Sequence, residues 1–222
     1  METKFIDLAL NKLSKNFKLT EIDLKQDSVM KKKGMTFYNH CYEIDGLGHL
    51  STTSMTGMFG FMKMESVILS VDNKDIPLFN CDYVKVFKKE FLGIELFDDM
   101  LSRLTPDYEV NFNVLNYRDK DLKEHVSKKR WYDDIRYSFS YAKDGKNQTK
   151  RFLKSTKDSL DFIIEKAKSE PNCDVESKQL KIKEFANNLY SNGGPAVDTF
   201  KKAFGDEAAK RMVVEYMYGV RE

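Results

Sequence analysis

The chain has few of the residues that build covalent or metal-held scaffolds. Its 222 residues include three cysteines, Cys41, Cys81 and Cys173. An odd number without regular spacing excludes a disulfide framework, and the lack of any CxxC gives no zinc motif. The three histidines, His40, His49 and His125, show no HExxH or similar ligand spacing, so no metal is expected. No run of about 18 apolar residues occurs, which excludes a membrane-spanning helix. No GxGxxG or GxxxxGK[ST] is present, so nothing supports a dinucleotide or P-loop reading. The first residues, METKFIDLALNKLSKNFKL, lack the unbroken apolar stretch and small-residue cleavage site of a signal peptide, and Glu2 and Asp7 make a poor transit peptide. A reduced compartment, the cytoplasm, is the expectation.

Apolar residues, by contrast, are plentiful. Hydrophobic residues make up 41% and aromatics 13%, enough for a real core, and a single domain over 1–222 accommodates the length. Charged residues are 32% but nearly balanced, with a net charge of +2, so no nucleic-acid partner follows from the total. Basic clusters at 31–33, 128–130 and 143–157 read as solvated faces.

Hydrophobic periodicity gives the elements. Phe5, Leu8, Leu13 and Phe17 predict an amphipathic helix over 2–18. Residues 35–44 and 48–71 predict strands, the latter two joined across Gly57–Gly60, with Met55, Met58, Met62 and Met64 as core filler. A hairpin follows in KVFKKEFLGIELF. Residues 107–129 are helical in part, the alternation in WYDDIRYSFSYAK (131–143) predicts a strand, and DGKNQ (144–148) a loop. Helices are predicted over 150–170, over SKQLKIKEFANNLYS up to the breaker NGGP (192–195), and from Ala196 onward with an interruption at Gly205. Strands clustered in sequence pair antiparallel most readily. The expected fold is α+β: an α/β/α sandwich with a central antiparallel sheet and helices on both faces.

One stretch, KDIPLFNCDYV (74–84), sets an aspartate directly after a cysteine in an otherwise apolar run. Asp82 reads either as a turn residue or as a carboxylate held near the core.

The run DIPLFNCDYV is similar to a segment of the ferredoxin-dependent bilin reductases, which have Asp-Leu-Pro, an apolar pair, then Gly-x-Asp and another apolar pair. Asp75, Ile76, Pro77, Phe79, Cys81, Asp82 and Val84 fit, while Asn80 stands where the family has glycine. Cys41-Tyr42 resembles the Cys-Tyr of the phycocyanobilin-forming branch. GPAVDTFKKAFG (194–205) resembles the family's C-terminal helix, with Trp131 and the residues after it a weaker match.

The resemblance implies reduction of biliverdin or a related bilin, with no tightly bound cofactor and with reduced ferredoxin donating electrons singly. The substrate is then the redox centre, and the protein supplies protons, a pocket and orientation. Asp82 is implied as proton donor, because burial beside an apolar sheet raises a carboxyl pKa. Glu65 stands nearest the family's pocket histidine or asparagine, and His49 is a second candidate for proton contact. Pro195 matches the opening of the C-terminal helix, but Gly194 replaces the aspartate found there, and Asp198 lies one turn on. Lys128, Lys129 and Arg130, which precede the Trp131 strand, with Lys143 behind them, are the expected partners of the bilin propionates, and Trp131 is carried over as a substrate contact. Cys81, inside the motif, is carried over as a substrate contact. The implied partners are the bilin and an acidic ferredoxin, with no nucleic acid and no membrane span; a monomer is expected, in the cytoplasm or, in an alga or plant, the plastid. Three other readings stand beside this one. One is a bilin- or tetrapyrrole-binding protein without turnover, the second an enzyme like red chlorophyll catabolite reductase, and the third a structural α/β domain with no tetrapyrrole role.

Overall fold

In the computed structural model, which describes residues 3–220, nine strands form one antiparallel sheet. They are β1 (Leu19–Ile22), β2 (Val29–Lys32), β3 (Met35–Ile44), β4 (Gly48–Gly57), β5 (Met62–Val71), β6 (Leu78–Val86), β7 (Lys89–Phe97), β8 (Lys123–Glu124) and β9 (Tyr141–Lys146). The order is β1-β3-β4-β5-β6-β7-β9-β8, with β2 paired to β3 beyond the end of β1. The helices are α1 (Lys4–Ser14), α2 (Pro106–Arg118), α3 (Thr149–Ser169), α4 (Val175–Asn192), α5 (Pro195–Phe204) and α6 (Asp206–Lys210), followed by a π-helical segment, Arg211–Met217. Among the described residues, no helix is long and apolar enough to cross a membrane.

The period-2 pattern of the strands makes two cores. Val67, Leu69 and Val71 of β5, Phe79, Cys81 and Tyr83 of β6, and Leu92, Ile94 and Leu96 of β7 point to one face. There they meet Phe5, Ala9 and Leu13 of α1, Tyr108 and Phe112 of α2, and Phe152, Leu160 and Ile163 of α3. The other face carries Phe37, Met55, Ile68, Leu78 and Phe97 beneath Phe185 and Leu189 of α4, Val197 and Phe200 of α5, and Met212, Val213 and Met217. Each large side chain so buried stabilises the fold by about 1.5–3 kcal/mol. The expected sandwich, a central antiparallel sheet with helices on both faces, is what the chain forms.

Local chemistry ends the elements. Asp174 caps α4 by accepting from the Ser177 amide at 2.8 Å. Gly193, at φ +82°, terminates it, and Pro195 opens α5 where its missing N–H costs nothing. Lys178 of α4 is fully buried and ties that helix to the start of β6: its Nζ lies 2.8 Å from Asp99 Oδ1 and donates to the Ile76 and Asp99 carbonyls at 2.9 Å each.

Several expectations differ from the structure. The first helix is shorter, Lys4–Ser14; its expected start at Glu2 lies outside the described residues, and Leu19–Ile22 is instead an edge strand. Residues 131–143 are not a strand. Trp131–Asp134 form a 3₁₀ turn because the Asp133 carboxylate accepts from the Arg130 amide at 2.7 Å and closes the chain on itself. The strand begins only at Tyr141 and runs through Lys146, into the expected loop, because Lys89, Glu90 and Phe91 pair with residues 144–146.

Candidate functional site

Where β3, β4, β5, β6 and β7 lie side by side, the face under α4 and α5 carries a polar stripe. The register puts Asn39, Thr53, Ser66, Asp82 and Gly93 in one row across five strands. The next row holds Cys41, Ser51, Ile68, Asn80 and Glu95. Asp82 is thus no turn residue: it sits mid-strand, half-buried, at the centre of the sheet. Burial raises its pKa above the ordinary value, against the Ser66 hydroxyl and the Asn80 amide, which support the charged form. Asn80 Nδ2 donates to Asp82 Oδ2 at 2.9 Å, while the buried Asn80 Oδ1 has no partner. On the β7 side its neighbour is Gly93. A Cβ there would meet the Phe91 ring at 2.9 Å, so the glycine makes room for that ring.

A second carboxylate shares this face. Glu95 lies directly across from Asn80 and receives Arg136 Nη1 at 2.5 Å, while Arg136 Nη2 reaches Asp133 at 3.0 Å. Burial pushes Glu95 up, Arg136 holds it down, and the nearby Asp82 charge pushes it up further. Tyr218, buried, feels both carboxylates, and its hydroxyl is pushed well above its usual range. Burial likewise pushes the Tyr132 hydroxyl up to about 12. Aromatic rings wall this end: Tyr132 sits edge-on to Phe97 at 5.8 Å, and Phe185 meets Phe97, Trp131 and Tyr218 at 5.2, 5.7 and 5.3 Å. The arrangement can hold protons at two neighbouring carboxyls beside an aromatic surface.

Four residues singled out in the sequence come together at the start of α5. Arg130 Nη1 lies 3.3 Å from Asp198 Oδ2, and the Trp131 indole donates to the Gly193 carbonyl at 3.1 Å. Pro195 is exposed between them. Gly194 is buried under Tyr132 and Leu189, and its Cβ would meet Leu189 Cδ1 at 3.0 Å. Lys128 is exposed, and Lys129 pairs with Asp134 at 3.0 Å.

His49 lies on the same face as Asp82 but at the far end of the sheet. Its Nε2–H donates to the Tyr216 carbonyl at 2.7 Å, an oxygen that also accepts from Cys41 Sγ at 3.1 Å. It borders two cavities of about 760 and 290 Å³, both also lined by Gly219 and Val220. Gly219, at φ +70°, packs on the imidazole so closely that a Cβ would come within 2.5 Å of Cγ.

Three others lie on the opposite face, away from Asp82. Glu65 Oε2 accepts from the Phe5 and Ile6 amides at 2.9 and 3.1 Å, capping α1. Cys81 is buried against Thr156, at 3.7 Å, with its thiol pushed up to about 12 by burial. Lys143 is buried beside Tyr141 and pairs with Glu124. Asp75 anchors the loop before β6, accepting from the Leu101 and Ser102 amides at 2.8 Å each.

Sequence reasoning missed Ser66, Glu95, Arg136, Tyr132 and Tyr218. The alternation in FLGIELF carried a signal for one of them: Gly93 and Glu95 fall on one face, and Leu92, Ile94 and Leu96 on the other. Tyr132 reaches the site from the 3₁₀ turn and Arg136 from just beyond it, and neither left a periodic trace.

No protein-family model matches the sequence, and no curated protein does. Among solved structures, the fold is similar to that of phytochromobilin synthase from tomato in complex with biliverdin, with a TM-score of 0.77. The alignment covers 98% of this chain and 82% of that one, at 14% sequence identity. The chain therefore has the fold of that enzyme.

Proposed function

We propose that this protein reduces a linear tetrapyrrole, biliverdin or a related bilin, taking electrons one at a time from reduced ferredoxin. The observation that carries the reading is Asp82: a carboxyl with a raised pKa, at the centre of one sheet face, on a fold whose tomato counterpart is found in complex with biliverdin. Reduction of each double bond takes up a pair of electrons and a pair of protons. Each electron makes the bilin more basic, and a carboxyl whose pKa burial raises keeps its proton to higher pH than an ordinary one, which suits it as the donor such a step needs. Asp82 gives the first proton, and Glu95, beside Asn80, is the second store. The aromatic rings of Tyr132, Trp131 and Phe185 provide a flat apolar surface for the pyrrole rings. Arg130 takes a propionate. Its pairing with Asp198 at 3.3 Å is solvent-exposed and worth little, so the exchange costs about 0–1 kcal/mol. The activity belongs in the cytoplasm, or in a plastid for a photosynthetic eukaryote.

The test is an anaerobic absorbance time course with biliverdin, reduced ferredoxin and a regenerating system. A shifted bilin band that gives way to a product band supports the reading. Gly194 favours a second reading, a bilin-binding protein without turnover, because the resembling family has a carboxylate where this chain has none. That reading predicts a shifted band that does not change.

A further inference from the structure

One end of the sheet carries a surface that the tetrapyrrole reading does not use. The β2–β3, β4–β5 and β6–β7 turns and the end of β9 all lie there. Met58, Phe59, Phe61 and Phe87 project from these turns, Phe59 fully exposed and the other three about half exposed. Phe61 and Phe87 stack on each other at 5.0 Å across the two hairpins. Met58, Phe59 and Phe87 hold left-handed backbone, at φ 48°, 56° and 55°, a conformation bulky residues rarely adopt. Around the rings the segments VMKKKG (29–34), TGMFGFMK (56–63), VKVFKK (84–89) and GKN (145–147) contain eight lysines and no acidic residue. Of these lysines, Lys85 is paired, with Glu90 at 2.9 Å, whereas Lys31, Lys32, Lys33, Lys63, Lys88, Lys89 and Lys146 are exposed.

We infer that this end of the sheet docks on an anionic phospholipid bilayer. Phe59, Phe61 and Phe87 stand exposed on turn tips at one end of the sheet, interleaved with exposed lysines. Phe and Met enter the boundary between headgroups and acyl chains, and the lysines remain among the anionic headgroups. The charge of the segments selects anionic over neutral lipid.

The test is cosedimentation of the full chain with vesicles of phosphatidylcholine alone and of phosphatidylcholine with phosphatidylserine. Binding is expected to the second only, and to fall as salt rises. Phe59→Ser is expected to weaken it about tenfold or more, from the loss of one buried aromatic. Lys31→Glu and Lys33→Glu are each expected to weaken it about fivefold or more. All three positions are on exposed tips, so circular dichroism should report unchanged folding. A wild-type chain that stays in the supernatant with both vesicles overturns the inference. So does undiminished binding by Phe59→Ser. Capture of the wild type by polyglutamate but not by anionic vesicles also overturns it, and assigns the surface to an acidic protein. None of these readouts depends on bilin reduction.

Discussion

Asp82 stands directly opposite Ser66 on the neighbouring strand, and the two point to the same face of the sheet. Glu65, one residue earlier, points to the other face and caps α1. A one-residue step along a strand moves a side chain from one core to the other. The partner of the Asp82 carboxyl on β5 is therefore a hydroxyl, and the acidic neighbour is Glu95, reached across Asn80.

The environment of Asp82 predicts a stability effect. Its carboxyl lies above the ordinary value of 3.8 in the folded chain. The fold thus favours the protonated form, whose contribution is fully present below that value and is lost as pH rises through the raised folded pKa. Asp82→Asn keeps a neutral group at every pH. Thermal melts should show the variant more stable than wild type at neutral pH, with the gap closing on acidification. A variant less stable at neutral pH would contradict this placement.

Glu65 should matter to stability and not to chemistry. Glu65→Ala leaves two helix-start amides buried without an acceptor, a loss of about 1–3 kcal/mol. Glu65→Gln keeps a carbonyl and should recover much of it. Denaturant midpoints of the two variants measure the difference, and turnover per folded molecule should match wild type.

Lys178 is the ion whose loss should hurt most. Lys178→Ala leaves Asp99 buried without its partner, a loss of about 3–5 kcal/mol. Burial already pushes Asp99 up to about 6 with the lysine in place. Chemical denaturation reads the effect, and a loss under about 1 kcal/mol would mean that water reaches Asp99.

At the far end of the site, Gly219→Ala drives a Cβ into the His49 ring and places a side chain at φ +70°. The segment around Gly219 should lift from His49, at a cost of about 1–3 kcal/mol. Proteolysis of the C-terminal segment should then be faster than in wild type.

Much of the fold was legible because strands and helices leave periods. Val67, Leu69 and Val71 alternate as a strand must, and Phe152, Leu160, Ile163 and Ile164 recur as a helix must. The turn at 131–134 was not, since aromatic alternation in WYDDIRY imitates a strand and only the Asp133–Arg130 hydrogen bond reveals the turn. Of the residues singled out in the sequence, Asp82 lies mid-strand on the face under α4 and α5, and Arg130, Trp131 and Asp198 come together at the start of α5. Glu65 and Cys81 were placed by sequence nearness, whereas facing is set by parity along the strand. Arg136 and Tyr218 join Glu95 and Asp82 through tertiary packing, from positions 41 or more residues away in sequence, which no local pattern encodes.

The central claim rests on the proton held at Asp82. The most direct test compares wild type and Asp82→Asn in the anaerobic biliverdin time course, from mildly acidic to alkaline pH. The account predicts that both shift the bilin band on binding. Wild-type turnover should fall as pH rises through the raised Asp82 pKa, and the variant should be slower by about 10²–10⁴-fold. Equal product formation by the two proteins, with the same pH profile, would contradict it.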